Sequence, residues 1–177
     1  MIEIRWHGRG GQGAFTASKI LGDAAVRDGK HALSFPSFGP ERRGAPIQAY
    51  TKISGQKITD RGALKKADYI VYLDETLYRE EALSDLKRDG MVFLNTRTPG
   101  RYEGKKQIAA FDADRFSEVI LKRLVSNTAM LAVLAAKTDI VAGERIKDAL
   151  DDFLPSGISS KNKALIDEIV KVVQFNE

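Results

Sequence analysis

The sequence contains no cysteine and only two histidines, and these absences remove several classes of chemistry. Without cysteine, the chain cannot form a disulfide, use a thiol nucleophile, bind zinc through thiolates or ligate an iron–sulfur cluster in the usual way. Because His7 and His31 are the only histidines, a multi-histidine metal site is not expected. Redox chemistry would therefore require a bound cofactor or another chain.

The sequence also lacks a long apolar run. No stretch approaches the ~20 residues that cross a bilayer, and Glu3 and Arg5 interrupt the first apolar segment, where a signal peptide would lie. We therefore expect a cytoplasmic protein. The 177 residues suffice for one domain, residues 1–177, with a sizeable core.

Positive charge is concentrated in the first third of the chain. Residues 1–66 contain 12 Lys and Arg against 5 Asp and Glu, whereas residues 67–177 contain 16 against 19. This asymmetry indicates either an anionic partner for the first part or a solvated basic face.

Segments with strand and helix character alternate along the chain. Strands are predicted at Ile2–Trp6, His31–Phe35, Ile47–Ile53, Tyr69–Leu73, Met91–Leu94 and Ile108–Phe111. Helices are predicted at Ala14–Arg27, Glu75–Lys87 with Asp74 as its cap, Ala113–Leu124, Thr128–Lys137, Glu144–Phe153 and Lys161–Val173. Residues 34–46 are rich in Pro and Gly and predict an irregular segment, and Gly90 predicts a break between a helix and a strand. The pattern predicts a three-layer α/β fold with a mainly parallel sheet covered by helices on both faces.

Residues 7–13, HGRGGQG, contain a G-x-G-x-x-G pattern between the first strand and the first helix. Glycines at such a position let backbone amide groups approach phosphate oxygens, and the start of the helix adds a partial positive charge. The predicted feature is a Rossmann-like glycine loop after the first strand. The alternative is that the glycines only let the first helix pack close to the sheet.

The usual ligands of such loops fit poorly. A nicotinamide-binding unit needs an acidic residue at the end of its second strand, and no Asp or Glu lies between His31 and Pro40. A phosphate-binding P-loop would need Gly-Lys-Ser/Thr after the glycines, and this sequence is absent. The loop is therefore suited to phosphate but lacks the features of a dinucleotide site.

A second motif, SFGPERRGAP at residues 37–46, follows about thirty residues later. Its adjacent guanidinium groups, Arg42 and Arg43, suit phosphate or carboxylate. Phe35 and Phe38 offer flat surfaces for a base or a partner. Salt bridges, for example to Glu41, and contact with another subunit remain alternatives.

Together, HGRGGQG and SFGPERRGAP resemble the gamma subunits of the 2-oxoacid:ferredoxin oxidoreductases, especially those of pyruvate synthase. The resemblance extends over most of the chain, with Asp74 after YIVYL, Asn95 after MVFL and Asn127-Thr128 at a helix start.

The resemblance implies a subunit of a complex that converts pyruvate and coenzyme A (CoA) to acetyl-CoA and carbon dioxide, with reduction of ferredoxin. It also implies thiamine diphosphate and [4Fe-4S] clusters on partner alpha, beta and ferredoxin-like delta subunits, and CoA as the ligand of this chain. Pyruvate, 2-oxoisovalerate and 2-oxoglutarate versions share this subunit type. No membrane or nucleic-acid partner is expected.

The candidate site follows from both lines of reasoning. We expect the glycine loop to line a crevice for CoA or a neighbouring subunit, Arg9 to face phosphate, and the arginine pair to neutralise phosphates or anchor the subunit. The set is Arg9, Gly10, Gly11, Gln12, Gly13, Ser37, Phe38, Gly39, Arg42 and Arg43, with Gly8, Asn95 and Asn127 as weaker candidates.

Several polar residues have a structural interpretation beside the functional one. Asp74, Asn95 and Asn127 are of types that caps and turns favour, and His7 suits a packed position at a strand end. None of them forms an evident acid–base pair, so no catalytic residue is assigned.

Two other functions fit parts of the sequence. The first is a stand-alone nucleotide-binding reductase with an atypical dinucleotide site. The second, a nucleic-acid-binding protein, is suggested only by the basic first part and lacks interleaved aromatic residues.

Overall fold

The structure is a computed structural model that describes residues 1–37 and 43–175. Its strands are β1 (Ile2–Arg9), β2 (His31–Pro36), β3 (Pro46–Ser54), β4 (Ala67–Tyr72), β5 (Leu86–Asn95) and β6 (Ile108–Phe111). Its α-helices are α1 (Ala14–Arg27), α2 (Ala113–Leu121), α3 (Ser126–Lys137), α4 (Gly143–Phe153) and α5 (Ser156–Phe175). Within the described residues, no helix is both long and apolar enough to cross a bilayer.

The strands form one sheet in the order β2-β3-β1-β4-β5-β6. The pairs β1/β4, β4/β5 and β5/β6 are parallel, whereas β3 runs antiparallel to both of its neighbours. Only β3 therefore opposes the other strands, which confirms the predicted α/β class with a mainly parallel sheet. We call the edge where β1 and β4 end the carboxyl edge, and the opposite one the amino edge.

The connectivity places the glycine loop and the described ends of the second motif at the carboxyl edge. β1 ends there and leads into the glycine loop, while β2 ends and β3 begins there. The described ends of the second motif, Ser37 and residues 43–46, therefore lie at the same edge as the glycine loop because of sheet topology.

The two faces of the sheet are covered by different kinds of structure. Ile4, Trp6 and Phe93 lie on the face that packs against all five α-helices. On the opposite face, Ile70 and Val92 pack under short 3₁₀ helices and the segment that contains Leu64. Helices thus flank the sheet as predicted, but those on the second face are 3₁₀ segments, at Glu75–Leu77, Glu80–Asp85 and Pro99–Tyr102.

The predicted helix Glu75–Lys87 is wrong. Two 3₁₀ helices replace it, and Tyr78 and Arg79 between them have extended backbone. This break lets the Tyr78 ring reach the sheet, where its centroid lies 5.5 Å from that of Tyr72, and Leu86 already pairs with Ala67 of β4. Tertiary packing therefore overrides a segment whose local sequence favours a helix.

The predicted break at Gly90 is also wrong, because Gly90 lies inside β5. A Cβ atom there would lie 2.9 Å from the Asp68 carbonyl oxygen, beside the irregular pairing of β4 and β5 between Ala67 and Tyr69. Glycine is required by this close approach of two backbones rather than by the end of an element.

Other corrections concern where elements end. β1 continues three residues past Trp6, and α2 stops at Leu121 rather than Leu124, since Lys122 adopts a left-handed conformation with φ of 55°. The last helix starts at Ser156 instead of Lys161. Residues 34–36 belong to β2 and Pro46 to β3, so the irregular segment is shorter than predicted.

Candidate functional site

The glycine loop turns the chain from β1 into α1. Gly11 and Gly13 have φ of 98° and 82°, which side-chain-bearing residues rarely adopt. Gly13 is the N-cap of α1, no side chain of the described residues caps this helix, and its first turn contains no acidic residue. The start of α1 therefore presents amide groups and a partial positive charge to an acceptor.

The glycines serve different purposes. A Cβ at Gly13 would lie 2.5 Å from Asn127 Nδ2, and one at Gly8 would lie 3.3 Å from the Ala14 Cβ. At Gly11, a Cβ would meet no atom of the described residues within 4 Å. Close packing, the alternative noted from the sequence, thus applies to Gly8 and Gly13, whereas Gly11 is needed for its backbone conformation.

The second motif is hydrogen-bonded to the glycine loop. The Gly10 amide donates to the Ala45 carbonyl at 2.8 Å, and the Gly44 amide donates to the Gly10 carbonyl at 3.1 Å. These bonds continue the pairing of β1 with β3 past the end of the sheet. The glycine loop and residues 43–46 of the second motif consequently form one surface.

A cavity of about 1080 Å³ lies between these segments. Its lining includes five of the predicted site residues, Gly10, Gly11, Gly13, Ser37 and Arg43. Phe38, Gly39 and Arg42 lie outside the described residues. Such a volume suits a nucleotide-sized ligand.

Arg9 points away from this cavity lining. Its Nε donates to Asp74 Oδ2 at 2.9 Å and its Nη2 to Thr76 Oγ1 at 2.7 Å. Gln12 folds back in the same direction: its Oε1 accepts from the Arg9 amide at 2.7 Å, and its Nε2 donates to Asp74 at 3.4 Å. Arg9, which was expected to face phosphate, and Gln12, which was expected to line the crevice, are therefore both outside the cavity lining.

Asp74 has the capping role proposed for it, on a shorter element. Its Oδ1 accepts hydrogen bonds from the amide and hydroxyl of Thr76, at 2.9 and 2.6 Å. Burial acts to raise the pKa of Asp74, but the hydrogen bonds from Thr76 and Arg9 outweigh it and lower the pKa below its ordinary value. Asp74 is therefore a carboxylate at neutral pH.

The two weaker asparagine candidates are both buried. Asn95 donates to the Leu73 carbonyl and to Asp114, and accepts from the Ala113 amide, each at 3.0 Å. These bonds tie β4, β5 and α2 together, in agreement with the structural interpretation. Asn127 donates to the Gly13 carbonyl at 3.4 Å, and its Oδ1 has no partner among the described residues.

His7 lies on the sheet face opposite α1. Its ring stacks on Tyr72 with centroids 4.4 Å apart. Burial, and secondarily the charge of Arg5, lowers the pKa of His7 to about 4. It is a neutral, packed histidine at pH 7 and lines a separate cavity of about 410 Å³ with Thr76 and Arg79.

Several cavity residues were missed by the sequence analysis. Phe15 and Thr16 of the first turn of α1 and Gln48 of β3 line the cavity. The position of Thr16, directly after the glycines at a helix start, was an available signal. No signal in the sequence indicated Gln48, because its position at the cavity depends on the pairing of β3 with β1. Among the described residues, no group of three or more His, Asp or Glu side chains is arranged to hold a metal ion.

Comparison with known proteins decides the family. A family model described as pyruvate ferredoxin/flavodoxin oxidoreductase matches residues 3–172. The chain belongs to this family.

Full-length relatives agree with this assignment. Pyruvate synthase subunit PorC of Methanothermobacter marburgensis is 44% identical, with 92% of each chain covered. The pyruvate/ketoisovalerate oxidoreductases common subunit gamma of Thermococcus litoralis is 38% identical, with 99% of each chain covered. The resemblance stated from the two motifs is therefore confirmed.

Solved structures share the fold. The pyruvate oxidoreductase subunit PORC of Thermotoga maritima matches with a TM-score of 0.82 at 34% identity, covering 96% of this chain and 95% of that one. A 2-oxoglutarate:ferredoxin oxidoreductase of Magnetococcus marinus, solved with 2-oxoglutarate, CoA and succinyl-CoA bound, matches with a TM-score of 0.78 at 17% identity. That match covers 98% of this chain and 31% of the other, and at this identity it shows the fold alone.

Proposed function

We propose that this chain is the gamma subunit of a thiamine diphosphate-dependent pyruvate:ferredoxin oxidoreductase, in which it engages CoA and helps to assemble the complex. The reaction converts pyruvate and CoA to acetyl-CoA and carbon dioxide, and two electrons pass to ferredoxin. Thiamine diphosphate and the iron–sulfur clusters belong, in this proposal, to alpha, beta and delta partner subunits. The names of the full-length relatives support pyruvate as the oxoacid.

One observation carries the CoA proposal: a single cavity is bordered by the glycine loop, by Arg43 and by the start of α1, which no described side chain caps. CoA has a pyrophosphate and a 3′-phosphate, so its recognition needs amide groups and a guanidinium. It does not need the carboxylate that a nicotinamide dinucleotide site places after the second strand. Phe35, Pro36 and Ser37 occupy that place here.

Arg43 is available for this role. Within the described part of the chain no carboxylate forms an ion pair with it, and it lines the cavity. The glycine loop and two residues that bear hydroxyl groups, Thr16 and Ser37, line the same cavity. The arrangement would bind and orient a phosphorylated carrier.

The test is kinetic and uses the assembled complex. Arg43→Gln should raise the KM for CoA about tenfold, the size expected from losing a charge-assisted contact, and leave the KM for the oxoacid unchanged. Arg61→Gln is the matched control, because Arg61 is exposed in the segment between β3 and β4, away from the carboxyl edge. An unchanged KM for CoA in an intact complex would exclude this function for Arg43.

The rival function, a stand-alone reductase, makes a different prediction. The purified chain would then bind NADH or NADPH and act without partners. Titration of the isolated chain with both nucleotides distinguishes the two proposals, because the gamma subunit should bind neither.

A further inference from the structure

The Arg9 side chain joins three separate segments at the carboxyl edge. Besides its bonds to Asp74 and Thr76, its Nη1 donates to the Gly44 carbonyl at 3.2 Å. Each of its three guanidinium nitrogens is therefore already a donor within the chain. The glycine loop, the 43–45 turn and the 74–76 turn are held by one side chain.

Asp74 is the hydrogen-bond acceptor that the side chains of Arg9, Gln12 and Thr76 share. It is held by Thr76 on one oxygen, and its other oxygen accepts from both Arg9 and Gln12. Only 16% of the Asp74 side chain is exposed, against 36% for Arg9. Because Arg9 precedes the glycine turn and Gln12 closes it, Asp74 holds both ends of this turn.

We propose that Arg9 and Asp74 form a positioning clamp, which keeps Arg43 and the glycine-loop amide groups in the orientation that binds the phosphates of CoA. This inference rests on the proposed function. Gly44, which Arg9 contacts, directly follows Arg43, and the backbone bonds between Gly10, Gly44 and Ala45 belong to the same turn. A held loop loses less conformational freedom on binding, so the clamp should act on affinity for CoA.

A direct Arg9–phosphate contact would require the pair to open. In that case Asp74 competes with the ligand for Arg9, and removing the Asp74 charge should strengthen CoA binding. In the clamp, removing either partner weakens CoA binding. The two mechanisms therefore predict opposite signs for Asp74→Asn.

The experiment measures steady-state kinetics of the assembled complex with Arg9→Gln, Asp74→Asn and the double variant. Each single variant should raise the KM for CoA about tenfold, with kcat and the KM for the oxoacid within about twofold. The double variant should resemble the single ones, because residues that act as one unit are non-additive. Arg9→Lys keeps the charge but loses the forked contacts, so its KM should lie between the wild-type value and that of Arg9→Gln.

Arg27→Gln is the matched control. Arg27 forms ion pairs with Asp23 and Asp152 at the far end of α1, and its side chain is 34% exposed, close to the value for Arg9. This variant should leave all three kinetic constants unchanged.

Two results would overturn the clamp. The first is a KM for CoA that is unchanged or lower in Asp74→Asn. The second is a change in kcat and in the KM for the oxoacid as large as the change in the KM for CoA, which would indicate general damage. Failure of the proposed function looks different, because Arg43→Gln itself would then leave the KM for CoA unchanged. If Arg43→Gln raises this KM while both clamp variants do not, only the clamp is wrong.

Discussion

Both edges of the sheet contain basic side chains, but the two edges differ in whether these side chains form ion pairs within the fold. At the amino edge, Lys52 is completely buried, and its Nζ lies 2.6 Å from Asp60 Oδ2. The Nζ of Lys87 lies 2.9 Å from Glu3 Oε2 and 2.7 Å from Asp68 Oδ2. At the carboxyl edge, Arg43 borders a cavity and lacks an ion-pair partner in the described residues. The charges of Lys52 and Lys87 are used within the fold, whereas that of Arg43 is available to a ligand.

The difference shows that basic composition does not by itself locate a binding site. Both edges draw on the positive first third of the chain. Lys87 differs from Arg43 in having carboxylates within reach: Glu3, Asp68 and Lys87 lie where β1, β4 and β5 begin, and their side chains form ion pairs. Arg9 belongs with the amino-edge residues in this respect, because Asp74 neutralises it.

The largest expected effect is on stability and concerns the glycine loop. Gly13→Ala should lower the free energy of unfolding by about 4 kcal/mol, because the new Cβ would lie 2.5 Å from Asn127 Nδ2 and φ is positive. Gly11→Ala is the matched control: Gly11 also has a positive φ, but no described atom lies near its Cβ position, so the free energy of unfolding should fall by only about 1 kcal/mol. Urea unfolding of both variants gives the comparison, and equal losses would show that contact with α3 does not restrict this loop.

The amino edge provides the next effect. Lys52→Ala should lower the free energy of unfolding by about 3 kcal/mol, because it empties a buried position and leaves Glu3 and Asp60 without their shared partner. Lys52→Met retains the packing and should recover most of this loss. Lys57→Ala, at an exposed lysine, is the control, and a similar loss there would mean that the ion cluster does not stabilise this edge.

A pH-dependent effect of intermediate size is expected from His7. Its pKa is about 4 in the folded chain and ordinarily 6.5, so the unfolded chain binds a proton that the folded chain excludes. Stability should therefore fall as the pH drops from 6.5 towards 4, by about 2 kcal/mol between pH 7 and pH 5.

Urea unfolding at these two pH values measures the loss. His7→Phe keeps a ring against Tyr72. Between pH 7 and pH 5, its free energy of unfolding should fall by about 2 kcal/mol less than that of the wild-type chain. The control is His31→Asn, which removes the other histidine from an exposed position on the edge strand. If both variants lose as much as the wild type, protonation of His7 does not weaken the fold.

Features encoded by neighbouring residues were predictable from the sequence. The bounds of α1 at Ala14 and Arg27 are those predicted, since glycines before it and Asp28-Gly29 after it are local signals. β6 also has its predicted bounds. The order of strands and helices also explains why the glycine loop and the described ends of the second motif lie at the same edge of the sheet.

Features fixed by distant contacts were not predictable. Tyr78 breaks a locally helical segment because its ring packs against Tyr72 and Tyr102. The direction of Arg9 depends on Asp74, which is 65 residues away along the chain. A glycine-rich loop predicts where phosphate can bind, but the partners of each side chain near it come only from the folded structure.

The smallest expected effect sharpens the contrast between the edges. Arg43→Gln should change the free energy of unfolding by no more than about 0.5 kcal/mol, because no described carboxylate depends on Arg43. The same variant is expected to weaken CoA binding, whereas Lys52→Ala should destabilise the chain and leave the KM for CoA unchanged. Urea unfolding and the KM for CoA, both measured on both variants, test these opposite expectations. A large stability loss in Arg43→Gln would show that Arg43 stabilises the fold rather than being available to a ligand.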